Sequence, residues 1–284
     1  MAMSGLPEDG QLRLGPVTLP AGKRIRAAGG SGEPVAWVTL EPVPDPGRVW
    51  AALSAARRET GLVPILMSGM GGDAGDTRRP WDNGEFDAPA DVTRLAGMDA
   101  ASVLRERWES VACEGDDEDW EEEDWEEEEE EDEQIVAMRA PFSRQFPGLA
   151  PAEGTSLSQD VIGNALASLR PARLGLVPAS RPADVLPMIG WSGFAPGTDG
   201  TLSLAAVLRS WEDRFGARLL DVGFAEIRLL VERPPRTREA AQRLAAEQFV
   251  FCDECTLAGQ VGLSDVSSIT ARLVNTPIWG FWWD

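Results

Sequence analysis

The sequence predicts an α+β (mixed α/β) protein built as two small sheet-plus-helix layers, the C-terminal one ending in a buried aromatic strand. Three observations predict it. Several segments carry apolar residues at helical spacing, short β-type runs lie between them, and the last residues alternate aromatic side chains at period two. The make-up, 43% hydrophobic and 26% charged over 284 residues, is ordinary for a globular chain long enough for one large or two ordinary cores.

The first half opens its pattern with "PVAWVTLE" (34–41), a short strand. A helix over 45–61 follows, with Val49, Leu53 and Ala56 on one face and Gly61 as its stop. "LVPILMSG" (62–69) is a continuous apolar run suited to a buried strand, which completes a β-α-β unit. The glycine- and aspartate-rich 69–86 reads as a long loop. Asp99 then caps a helix over 99–113 whose apolar positions are Val103, Leu104, Trp108 and Val111.

Between Glu114 and Glu133 the chain holds 17 acidic residues in 20 positions, interrupted only by Gly115, Trp120 and Trp125. Taking those 17 charges from the formal −21 leaves −4, so the charge belongs to this tract and the rest is only mildly acidic. Unpaired neighbouring carboxylates repel and cannot be buried, so the tract is expected to be disordered or a solvated extension of the preceding helix. A Pro/Gly-rich connector follows. The expected organisation is therefore an N-terminal mixed α/β region (1–113), the acidic tract (114–133), the connector (134–171) and a C-terminal α+β domain (172–284).

The C-terminal part is the better patterned. A strand over 172–179 and a short helix closing at Gly190 precede the clearest helix, 201–216, where Leu204, Leu208, Trp211 and Phe215 step by 4, 3 and 4 before Gly216. Two β-type runs flank "VGF" within 217–235 and suit an antiparallel pair. Helices over 237–252 and 263–275 lead to the last strand. There Trp279, Phe281 and Trp283 point one way and Ile278 and Trp282 the other. Core is the simple reading of those rings, and an aromatic binding shelf is the alternative.

Three blocks of this half, "LRSWEDRFGARL" (208–219), "RPPRTREAAQRLAAEQFVFC" (233–252) and "WGFWWD" (279–284), resemble an actinobacterial family known as domain of unknown function 4253. The resemblance covers roughly 172–284, and "RPWDNGEF" (79–86) is similar to a motif in longer members. It implies a small α+β domain of the bacterial cytoplasm, with no activity, cofactor or catalytic residue to carry over. The family pattern has His before "FAFCPD" where this chain has Gln248 before "FVFCDE", which favours a structural or binding role for that motif.

Composition also narrows the chemistry. There is no histidine, and Lys23 is the sole lysine, so His-based nucleophile pairs and most lysine mechanisms are excluded. Without a basic stripe, binding to nucleic acid is not expected. No apolar run is long enough for a bilayer, the N-terminus lacks a signal-peptide pattern, and three cysteines do not make a disulfide framework, so a cytoplasmic protein is expected. "CDEC" (252–255) has acidic residues between its sulfurs, a field that opposes the thiolate and disfavours a redox pair. No cofactor or metal is expected.

Two candidate sites remain, beside the aromatic shelf. In "RPWDNGEF", Trp81, Asp82 and Glu85 read either as a tight turn with Arg79 pairing to Glu85 or Asp82, or as a binding loop. A carboxylate enzyme, with or without Mg²⁺, centred on Asp82 and Glu85 is the rival reading. In the acidic tract, Trp120 and Trp125 are anchoring aromatics for a basic protein partner, against the alternative of an inert solubilising spacer. The Glu212–Asp213 pair beside Trp211 reads as a charged solvent face. The leading expectation is a non-catalytic binding or regulatory protein, of the kind that sequesters a basic partner as immunity proteins do.

Overall fold

The computed structural model describes residues 5–27, 32–69, 79–82, 86–110, 137–142, 144–152, 154–193, 198–252 and 265–283. The acidic tract, Glu85, Trp120 and Trp125 lie outside the described residues. The α+β class expected from the sequence is what the structure shows. Strands of both halves join in one mixed sheet rather than in two separate ones.

Eight strands make that sheet: β1 (Gly10–Leu14), β2 (Val17–Ile25), β3 (Ala36–Thr39), β4 (Val63–Met67), β5 (Arg173–Val177), β6 (Ala217–Val222), β7 (Glu226–Val231) and β8 (Ile278–Trp282). Their order across the sheet is β1-β2-β3-β5-β4-β6-β7-β8. Strand β5 thus enters between β3 and β4, antiparallel to both. The pairing of β4 with β6 is parallel, Leu66 against Asp221, and it joins the two halves a second time. The β1–β2 hairpin was not read from sequence.

The helices are α1 (Pro46–Thr60), α2 (Ala100–Ser110), α3 (Gln159–Ala167), α4 (Val185–Ile189), α5 (Thr198–Phe215), α6 (Arg238–Phe251) and α7 (Val266–Leu273). Local chemistry sets their ends. Asp45 accepts from Arg48 N at the start of α1, with Pro46 at the first helical position, and Gly61 ends it at φ 71°. Thr237 caps α6 and Asp265 caps α7 in the same way. Gly190 closes α4 at φ 67°, and a Cβ there would stand 1.9 Å from the Asp87 carbonyl oxygen, so only glycine fits. Helix α3, capped by Ser158, lies within the stretch read as connector.

Helices cover both faces. On one, α1 and α3 bury Trp50, Leu53 and Leu166 against Trp37, Leu66, Leu174, Leu176, Leu220 and Leu230 of the strands. On the other, α2, α4, α5, α6 and α7 bury Trp108, Trp211, Phe215 and Phe251 against β6, β7 and β8. The final strand alternates as its sequence predicts: Trp279 and Phe281 point into this second core, and Ile278 packs on the opposite face. Trp211 organises the cluster, with Phe251 at 4.6 Å, Trp279 edge-on at 5.7 Å and Phe281 stacked at 5.5 Å between ring centroids. Such pairs add roughly 0.5–1.5 kcal/mol each beyond burial. Among the described residues, no helix is long and apolar enough to cross a membrane.

Candidate functional site

Segment 79–82 reaches the sheet because its flanks are pinned. Pro80, Trp81 and Asp82 form one 3₁₀ turn with Pro80 buried, and Asp82 N donates to Arg79 O at 3.0 Å. Just after it, Phe86 is buried and bridges to Trp191, while Asp87 N donates to Gly190 O at 2.6 Å and Ala90 N to Pro187 O at 2.9 Å. The turn is thereby fastened to α4, an element of the other half. Trp81 leans on Phe86 with ring centroids 6.5 Å apart.

This turn forms one wall of a cleft of about 230 Å³. Lys23 of β2, Val38 and Thr39 of β3, Leu40 just after β3, and Arg173 of β5 form the other wall. The register explains their convergence: Lys23 pairs with Val38, Val38 pairs with Gly175, and Arg173 stands two residues before Gly175 on the same strand face. Arg79, only 5% exposed, completes the lining. Asp82 Oδ1 lies 3.9 Å from Lys23 Nζ, both side chains about half exposed, so the pair is loose. Arg173 Nε donates to Leu40 O at 3.0 Å, which holds the guanidinium at the rim. Among the described lining residues, three cations face one carboxylate.

Trp279 and Trp283 are 3% and 2% exposed and belong to the aromatic core, where Trp283 meets Trp191 edge-on at 5.5 Å. The group read as a charged solvent face divides. Trp211 is buried, whereas Glu212 and Asp213 both take Arg181, at 3.3 and 2.6 Å. Cys252, at the end of α6, is disulfide-bonded, which was not foreseen, and the other residues of "CDEC" lie outside the described ones.

Sequence reasoning missed the buried carboxylates, Glu247 and Asp221 among them. Glu247 is fully buried and accepts from Ala150 N (2.7 Å), Trp211 Nε1 (2.8 Å) and both terminal nitrogens of Arg214 (2.8 and 2.5 Å). It ties segment 146–150 to α5 and α6. Its position in "AAEQF", on the stripe between Leu244 and Phe251, was the available signal. Asp221 accepts at Oδ2 from Ser68 Oγ (2.7 Å) and from Arg228, and its Oδ1 is buried without a hydrogen-bond partner among the described residues. Beside it, burial and then the Asp221 charge push the Glu226 carboxyl above the ordinary carboxylate value, against the pull of Arg228 and Arg170.

Among the described residues, no group of three or more Cys, Asp or Glu is placed to hold a metal ion. No curated protein and no solved structure matches the chain. Residues 173–284, from the first residue of β5 to the C-terminus, match a family described as a domain of unknown function, DUF4253. The blocks that resembled that family occupy α5 with the start of β6, α6 and β8, and it is through the C-terminal part that this protein is similar to the DUF4253 family.

Proposed function

We propose that the protein is a non-catalytic binding protein whose acidic tract, with Trp120 and Trp125 inside it, holds a basic protein partner. The single observation that carries this reading is the concentration of charge: 17 of the 47 acidic residues fall between Glu114 and Glu133. Such a field raises the encounter rate with a cationic surface, and indole rings within it supply apolar contact that charge alone lacks. The folded body offers a contrast that supports the reading. Its buried carboxylates are bound to arginines: Glu247 to Arg214, Asp221 to Arg228, and Asp184 to Arg209 at 2.6 Å. These pairs are spent on structure.

The test compares the full chain with one lacking residues 114–133. Partners of high isoelectric point are taken by the full chain at low salt, and the reading requires that they be lost both on deletion and at high salt. Trp120→Ala and Trp125→Ala weaken binding while leaving its salt dependence in place. Equal binding by the deleted chain at either salt concentration contradicts the proposal.

A further inference from the structure

The cleft beside Trp81 has a chemistry opposite to that of the tract. In a chain of formal charge −21, its described lining gathers Lys23, the sole lysine, with Arg79 and Arg173 against Asp82 alone. Trp81 adds an apolar wall, and its Nε1 is a buried donor without a hydrogen-bond partner among the described residues. The Thr39 hydroxyl accepts from Leu174 N at 3.0 Å, so its own hydrogen is available to an acceptor. The only described carboxylate at the cleft reaches Lys23 loosely at 3.9 Å, and an incoming anion would displace it at little cost.

We propose that this cleft binds a small phosphate monoester with a flat body, the phosphate lying between Lys23 and Arg173 and the ring lying against Trp81. Arginine and lysine donors suit phosphate oxygens, and an indole face suits a planar ring. The site draws on both halves of the chain, since Arg173 is the first residue of the DUF4253 match and the other lining residues precede it. It is independent of the acidic tract and stands or falls separately.

Titration calorimetry on the full chain at low salt, with adenosine 5′-monophosphate, inorganic phosphate and adenosine as probes, tests the site. The expected order is the monophosphate first, phosphate second and adenosine last. Lys23→Ala and Arg173→Ala each weaken the monophosphate about tenfold, as loss of a charge-assisted contact does. Trp81→Ala removes the advantage of the monophosphate over phosphate. Asp82→Asn tightens binding severalfold because it removes the opposing charge of the described lining; a structural role for these residues does not produce opposite signs at Lys23 and Asp82. Thermal melts of the four variants confirm that each is folded. No binding of the monophosphate at millimolar concentration, adenosine binding as well as the monophosphate, or weaker binding by Asp82→Asn each overturns the proposal. The same titration on the chain lacking residues 114–133 is expected to give equal or tighter binding; loss of binding there also overturns it.

Discussion

Removing Arg214 leaves Glu247 as a fully buried carboxylate with its charge partner gone. In the intact protein that carboxylate takes four donors, two of them from Arg214, whose Nη1 also holds Ala150 O at 2.8 Å. Breaking a buried pair from one side costs about 3–5 kcal/mol, because the remaining ion is desolvated and unpaired. Arg214→Met is therefore expected to lower stability by about that amount. For a chain of this size it corresponds to a fall in Tm of roughly 10 °C. Glu247→Leu is expected to cost a similar amount, since it strands Arg214 along with Trp211 Nε1 and Ala150 N. The double variant should cost no more than either single change and well under their sum, because no buried charge is left unpaired. Urea unfolding followed by tryptophan fluorescence and by far-ultraviolet dichroism measures all three. Single losses below about 1 kcal/mol, or additive losses in the double variant, would refute the reasoning.

Other predictions follow from the same contacts. Gly190→Ala should destabilise by more than about 2 kcal/mol, from the left-handed backbone penalty and the clash with Asp87 O, read as a shift in the urea midpoint. Asp265→Ala removes the α7 cap at Ser268 N and should cost about 1 kcal/mol in the same assay. Glu226 holds its proton more tightly folded than unfolded, so its contribution falls as pH climbs from the ordinary carboxylate value through the raised one. Glu226→Gln should remove that slope from a profile of Tm against pH, and an unchanged slope would rule this source out.

The elements were legible wherever local signals agreed. The 4-3-4 stepping of Leu204, Leu208, Trp211 and Phe215 lies on α5 with Gly216 just past its end, and Trp279 and Phe281 share the core face of β8. The β1–β2 hairpin had a readable signal in the alternation through Leu12 and Leu14 and the turn at Gly15-Pro16, with Gly15 at φ 55°. The order of the sheet was not legible. That β5 enters between β3 and β4 is decided by contacts far apart in the chain, to which hydrophobic periodicity is blind. The cleft was hidden for the same reason. "RPWDNGEF" identified the turn, but nothing near it announces that Lys23 and Arg173, on the two strands that flank β3, line one cleft with Trp81.

The shared sheet underlies the fold and the cleft alike, and the most direct measurement of it is made on residues 173–284 produced alone. Within that piece β5 has lost both neighbours, β3 and β4, and β6 has lost β4. Leu174, Leu176 and Val177, all buried in the whole chain, lose the strands beside them, a loss of about 1.5–3 kcal/mol each. Together they approach the whole stability of an ordinary domain. The excised segment is predicted to show no cooperative melt and no near-ultraviolet dichroism from its tryptophan cluster, and to gain both when residues 1–172 are supplied. A sharp melt with a native-like tryptophan signal from the segment by itself would contradict the single shared sheet.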